Sequence, residues 1–196
     1  MTDEPGVAGC DEAGRGPLAG PVVCAAVVLP ERHGIGGLRD SKALSASRRE
    51  LLAAMVRERA RWALAVVPPA EVDAMNVLAA TLAGMARAIA ALDPAPERAV
   101  VDGDRVPPGL GVPAEAWVRG DARHAAVAAA SILAKTERDR LMRELDLDYP
   151  KYGFARHFGY PTPEHLAALR SHGPCPAHRR TFAPVVEAMA QGALPL

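Results

Sequence analysis

VAGCDEAGRGPLAGPVVCAAVVLP, residues 7–30, is the stretch on which the reading of the chain turns. An apolar run ends in two adjacent carboxylates, Asp11 and Glu12. Two glycines flanking an arginine follow (Gly14, Arg15, Gly16), and then small and β-branched residues run from Leu18 to Leu29. Such runs, broken by Gly and Pro, predict two strands joined by a tight connection. Acids are unfavourable inside a strand, so Asp11 and Glu12 are expected where the strand ends and a cleft opens. A lone Asp-Glu pair would read as an acidic turn. The chain beyond it supplies two more isolated aspartates in similar settings, and these change the reading. Gly14-x-Gly16-x-x-Ala19 also fits a dinucleotide-binding fingerprint, but that motif needs a helix at its end. Here Pro17 and the run Val22 to Leu29 predict a strand, so the fingerprint is set aside.

Outward from this stretch, a Gly-rich connection from Glu31 ends in Asp40-Ser41-Lys42, and Ser47 to Glu50 has the capping-box pattern. It opens a helix with Leu51, Leu52, Met55 and Val56 on one face, ending near Arg61. Trp62 to Val67 is a third strand, stopped by Pro68-Pro69. Glu71 to Leu92 is a helix broken near Asn76. Arg98 to Val101 is a fourth strand that stops at Asp102, and Glu115 to Val118 a fifth that ends at Arg119-Gly120-Asp121. His124 to Leu145 is a long helix, apolar nearly all round from Ala125 to Ala134 and therefore buried. Strands alternating with helices argue for an α/β domain. From Asp146 the character changes: Lys151 to Arg180 holds five basic residues, one acidic residue and four of the six histidines, interleaved with aromatics. Helices are expected from Glu164 to Ser171, with Gly173 past the end, and from Pro184 to Ala190.

The 196 residues suffice for one domain with a sizeable core. Net charge is zero, so no global basic field announces a polyanionic partner. The cations are three lysines and twenty arginines, a bias that alone decides nothing. Three scattered cysteines, no secretory leader and no apolar stretch of spanning length point to a reduced, cytoplasmic protein with no membrane partner. His172, Cys175 and His178 are spaced like soft-metal ligands but lack a fourth, and read as surface or groove histidines.

Asp11, Glu12, Asp102 and Asp121 each follow a short apolar run and precede or adjoin a glycine. Strand ends on one edge of a sheet lie close together, so these acids can converge, and four clustered carboxylates repel unless cations neutralise them. All-oxygen ligation suits Mg²⁺ or Mn²⁺. Two such ions about 4 Å apart serve phosphodiester hydrolysis by activating a water and stabilising the leaving oxygen.

At this point the motifs match a family. CDEAGRGPLAGPVVCAAVVL, DSKALS, VVDGD, VRGD, AAASILAKTERDRLM and YPKYGFARHFGYPTPEHLAALRSHGPCPAHRRTFAPV resemble, in order and spacing, bacterial ribonuclease HII, the type 2 ribonuclease H. The resemblance implies an α/β, ribonuclease H-like mixed five-stranded sheet flanked by helices, with a small C-terminal helical segment. It divides the chain into a catalytic part, 1–145, and a substrate-binding segment of the same unit, 146–196. It implies an endoribonuclease acting on RNA–DNA hybrids and 5′ of single ribonucleotides in duplex DNA, a monomer with two divalent ions, Mg²⁺ or Mn²⁺, held by Asp11, Glu12, Asp102 and Asp121. Strand alternation would send Asp11 and Glu12 to opposite faces, so Glu12 is expected to have left the strand. Gly14, Arg15 and Gly16 match the loop that reads the ribose 2′-hydroxyl, and Tyr160 the tyrosine that packs on the next deoxyribose. Lys42, Ser131 and Lys135 fall on positions near the phosphates. Arg179 and Arg180 fall in a run expected to touch the nucleic-acid backbone, and Asp139 is a motif acid expected not to bind metal. Arg119 and Phe158 stand where the family commonly has lysine. Phe158 removes a phosphate contact, which puts affinity and its salt dependence in question. The competing reading is a catalytically inactive RNA–DNA junction-binding module; the presence of all four acids argues against it.

Overall fold

The computed structural model of the chain describes residues 1–39 and 41–192; Asp40, read as part of the Asp-Ser-Lys connection, lies outside them. The sheet has five strands in the order β3-β2-β1-β4-β5. β1 (Val7–Ala13) pairs antiparallel with β2 (Val22–Val28), and β2 with β3 (Arg61–Val67). On its other side β1 pairs parallel with β4 (Arg98–Asp102), which pairs parallel with β5 (Ala114–Trp117). Every residue of β2 is buried. A strand covered on both faces has no solvent side to alternate toward, which is why it reads as one continuous apolar run.

Two layers of helix cover the sheet. On one face α3 (Val77–Ala90) sets Ala80, Met85, Ala88 and Ile89 against Cys10, Cys24, Ala26 and Val101. On the other, α1 (Ala46–Arg59) and α4 (Ala125–Asp148) pack against Ala25 and Val27. α4 crosses β1 so closely that a Cβ on Gly9 would lie 2.1 Å from the Ala126 carbonyl carbon and the Val127 nitrogen. The alanines of α4 permit this approach, and glycine is the residue that completes it.

Several local readings shift. α1 is capped by Ser45, whose hydroxyl accepts the Arg48 N–H at 3.3 Å. Ser47 already lies within the first turn. The buried face of α1 is Leu52, Ala53 and Val56, while Leu51 is 51% exposed, because the three buried positions fill an arc about 100° wide and Leu51 lies about 100° beyond its Leu52 edge. The break near Asn76 is present: α2 (Pro69–Met75) meets α3 at 119°. Asn76 takes φ 69° and ψ 159°, a strained conformation for a residue other than glycine, and its Oδ1 caps α3 by accepting the Leu78 and Ala79 N–H groups at 3.0 and 3.1 Å. Among the described residues no single helix is long and apolar enough to cross a membrane.

α4 starts without a side-chain cap at His124. Instead the Ala125 N–H donates to the Thr2 carbonyl at 2.8 Å, and the Thr2 N–H donates to the Arg123 carbonyl at 2.7 Å. The C-terminal part adds α5 (Phe154–His157), α6 (Pro163–His172) and α7 (Ala183–Gly192). It is sewn to the loop after β1: Leu18 N–H donates to Gly159 O, Gly20 N–H to Ala177 O and Arg179 N–H to Leu18 O, each at 2.8 Å.

Candidate active site

At the end of β1 where Asp11 and Glu12 lie, a cavity of about 320 Å³ is lined by Asp11, Glu12, Asp102 and Asp121. Gly14, Arg15, Gly16, Lys42, Ser131, Lys135 and Tyr160 line it as well. Parallel register explains the first meeting: Cys10 stands beside Val101, so the next residues, Asp11 and Asp102, emerge side by side. Asp102 Oδ1 accepts the Gly120 N–H at 2.7 Å. That bond ties the 3₁₀ turn Gly120–Ala122, which carries Asp121, to the end of β4. Asp121 therefore sits in a turn beyond β5 rather than at a strand end. Glu12 also departs from expectation, because β1 continues to Ala13 with Glu12 paired opposite Cys24. Glu12 has not left the strand. The cavity wraps round the sheet edge and takes both neighbouring acids.

Asp11 is only 6% exposed. Burial, then the charges of Glu12 and Asp102, holds its carboxyl well above the usual carboxylate range, although the Ser131 hydroxyl and Glu12 N–H pull the other way. Glu12 is raised by burial and pulled back by Arg15, whose Nη1 lies 3.4 Å from Glu12 Oε1. Among the described residues no three acidic, histidine or cysteine side chains close into a ready-made cage. The acids instead line one cavity, where Gly120 N–H holds Asp102 and Arg15 lies beside Glu12. An all-oxygen, mutually repelling donor set, in which Asp11 and Glu12 are raised, fits hard divalent cations. Cys10 and Cys24 are no alternative nucleophiles, since burial, then the Cys24 thiol and two carboxyls, push Cys10 up, and burial, then the Glu12 and Asp11 carboxyls, push Cys24 up.

Around the acids, Lys135 Nζ donates to Asp139 Oδ1 at 2.7 Å and lies 5.0 Å from the Phe158 ring centre. Asp139 is buried and also meets Arg49 at 3.3 Å, which places it behind Lys135. The Ser131 and Ser41 hydroxyl oxygens are hydrogen-bonded at 2.9 Å. Phe158 lines the cavity with φ 51°, a strained conformation for an aromatic residue.

Two expectations are corrected. Arg179 is fully buried, and its guanidinium bonds the carbonyls of Gly14, Arg15 and Gly20, so no N–H fork is presented to a phosphate. Its neighbour Arg180 keeps an exposed side chain, compatible with the backbone contact expected of it, while its main-chain N–H donates to Asp73 Oδ2 at 2.8 Å. His178, with His157 and His165, is buried rather than at a surface or groove. The tautomers follow from the donors. Cys175 N–H donates to His178 Nδ1 at 3.1 Å, so His178 Nε2–H donates to His165 Nε2 at 3.1 Å and His165 Nδ1–H to Tyr160 O at 2.9 Å. Burial and neighbouring histidine charge keep the pair neutral, with His178 lowered to about 4. Arg138 was missed altogether. It lines the cavity and lies on the same face of α4 as Ser131, Ala134 and Met142, so helical periodicity alone marks it as buried.

The family model for ribonuclease HII matches residues 8–185. A ribonuclease HII of Dechloromonas aromatica is 55% identical over 185 residues, covering 94% of each chain. The ribonuclease H2 of Pyrococcus horikoshii superposes with a TM-score of 0.80 at 31% identity, over 94% of this chain and 97% of that one. A ribonuclease HII of Archaeoglobus fulgidus, solved in complex with PCNA, superposes with a TM-score of 0.75 at 32% identity, over 89% and 92%. The mixed five-stranded sheet flanked by helices is thus the ribonuclease H fold, and the chain belongs to the ribonuclease HII family, divalent-metal-dependent hydrolases that cleave RNA in RNA–DNA hybrids.

Proposed function

We propose that this chain cuts duplex DNA immediately 5′ of an embedded ribonucleotide, as well as the RNA strand of hybrids, leaving a 3′-hydroxyl and a 5′-phosphate. The observation that carries the proposal is the meeting of the four acids, the Gly14–Gly16 loop and Tyr160 around one cavity. A Cβ built on Gly16 would lie 3.5 Å from Tyr160 Cε1, at van der Waals contact, so loop and ring adjoin in the cavity wall. Glycines let main-chain groups approach the sugar, and the 2′-hydroxyl is the feature that separates ribose from deoxyribose. The half-exposed Tyr160 ring offers an apolar face to the next sugar, which suits deoxyribose better than ribose. Lys42 and Lys135 place positive charge along the phosphates, and Ser131 adds a hydroxyl beside Asp11.

Asp11, Glu12, Asp102 and Asp121 would hold two Mg²⁺ or Mn²⁺ ions, which supply the charge that activates a water and stabilises the leaving oxygen. Residues 1–145 act as the catalytic part and 146–196 as the substrate-binding segment of one unit. The protein works as a cytoplasmic monomer in ribonucleotide removal and DNA repair.

A labelled DNA duplex with one ribonucleotide, offered with Mg²⁺, Mn²⁺ or a chelator, tests this. Metal-dependent cutting 5′ of the ribonucleotide is the expected result. Binding without cutting in either metal would favour a junction-binding module. For Tyr160→Ala, preference for a single ribonucleotide over an all-RNA strand is expected to fall by about tenfold, on the scale of one lost sugar or base contact. Unaltered relative rates would refute the tyrosine's role.

A further inference from the structure

We propose that Arg138 and Arg179 are positioning residues that grip the Gly14–Pro21 loop from two sides, fix its distance from Tyr160, and so set how sharply the cavity separates ribose from deoxyribose. The inference rests on the reading of that loop as the ribose contact.

Both side chains are buried, at 2% and 0% exposure. Arg138, from α4, donates through Nε to Pro21 O at 3.0 Å and through Nη2 to Ala19 O at 2.9 Å. Arg179 donates through Nε and Nη2 to Gly20 O at 3.1 and 2.9 Å, through Nη1 to Arg15 O at 2.8 Å, and through Nη2 to Gly14 O at 2.5 Å. The two forks thus hold five carbonyls of an eight-residue loop. Burying two neighbouring positive charges is unfavourable. It lowers the pKa of both, to about 10 and about 9, leaving them charged at neutral pH. A pair of buried like charges is retained for geometry rather than for stability.

The loop needs such anchors. Gly14 and Gly20 sit at φ 97° and 83°, conformations glycine enters freely and leaves as freely. The fork of Arg179 is itself tied to Tyr160. Arg179 N–H donates to Leu18 O, Leu18 N–H donates to Gly159 O, and His178 reaches the Tyr160 carbonyl through His165. The loop and the tyrosine are therefore fastened to one short segment, Ala177–Arg179. Lysine cannot replace either arginine, because an ammonium is a point donor and cannot span carbonyls arranged around a planar fork.

The test uses Arg138→Lys and Arg179→Lys, which keep the charge. The readout is KM for a one-ribonucleotide duplex against the inhibition constant of the all-DNA duplex of the same sequence. In both variants KM is expected to rise by about tenfold, the scale of one net hydrogen bond, with the all-DNA inhibition constant held within about twofold. A ratio unchanged in a folded variant overturns the proposal. So does a parallel rise of both constants, which would mean that the arginines support duplex binding in general rather than the ribose contact. Unfolding of both variants overturns it too, because their role would then be the fold alone. A wild-type ratio near one would sink the loop's reading and this inference together, so the wild-type arm tells the two failures apart.

Discussion

Asp102→Asn is expected to lower hydrolysis of a ribonucleotide-containing duplex by at least about 10²–10³-fold, the scale of losing one electrostatic contact to a transition state, while duplex binding persists. Asparagine keeps the shape of the side chain and its acceptor for Gly120 N–H, so the turn bearing Asp121 stays tied to β4. What it removes is charge facing the cavity. Asp11→Asn should have the same effect on turnover and an opposite one on stability. Burial beside Glu12 and Asp102 raises the Asp11 pKa in the folded chain, so without metal the folded state binds more protons than the unfolded state between the ordinary and the raised value. Raising the pH through that window therefore destabilises the metal-free wild type. The asparagine variant lacks this loss. Its melting temperature without metal should exceed the wild type's at neutral pH, by roughly 2–4 °C for each kcal/mol relieved, and the difference should vanish toward acid pH. Turnover near the wild-type rate in both variants would sink the assignment of these acids. A metal-free Asp11→Asn protein less stable than wild type would sink the electrostatic account of Asp11.

Gly9→Ala is expected to prevent folding, or to lower stability by more than about 4 kcal/mol, the range reserved for severe core disruption. The new methyl would fall 2.1 Å from main-chain atoms of α4, and a helix backbone packed on the central strand has no rotamer to change. Gly84→Ala makes the useful comparison. Its Cβ would meet side-chain atoms, Val67 Cγ2 at 2.7 Å and Cys24 Sγ at 2.8 Å, which can shift for roughly 1–3 kcal/mol. Thermal melts by circular dichroism should rank wild type, Gly84→Ala and Gly9→Ala in falling order. A Gly9→Ala melt within a few degrees of wild type would mean that α4 can lift from β1.

The sheet and the acids were legible because each leaves a one-dimensional mark. β2 is covered on both faces, so its residues are apolar without alternation, and Asp11 and Asp102 each interrupt an apolar run at a strand's last residues. Asn76 announced the helix break through its own side-chain chemistry. What stayed hidden depends on contacts between distant segments. Arg179 looks like a surface cation until carbonyls from Gly14 to Gly20, some 160 residues earlier, are found to accept its fork. His178 looks like a surface or groove residue until its ring nitrogens are found to meet Cys175 N–H and His165. Glu12 was expected outside the strand because alternation treats a sheet as flat and endless, whereas the cavity lies where the sheet stops and both faces open together. The Ser45 cap was missed because Ser45 and Ser47 both fit the residue preference, and backbone angles alone separate them.

The bonds between Thr2 and residues 123 and 125 bear on how this enzyme is handled at the bench. Thr2 is stitched to the same short stretch that carries Asp121, so whatever is joined ahead of it hangs directly from that turn. A bulky affinity handle joined there without a spacer would act as a lever on one wall of the cavity. Preparations made that way should recover activity once the handle is cleaved off.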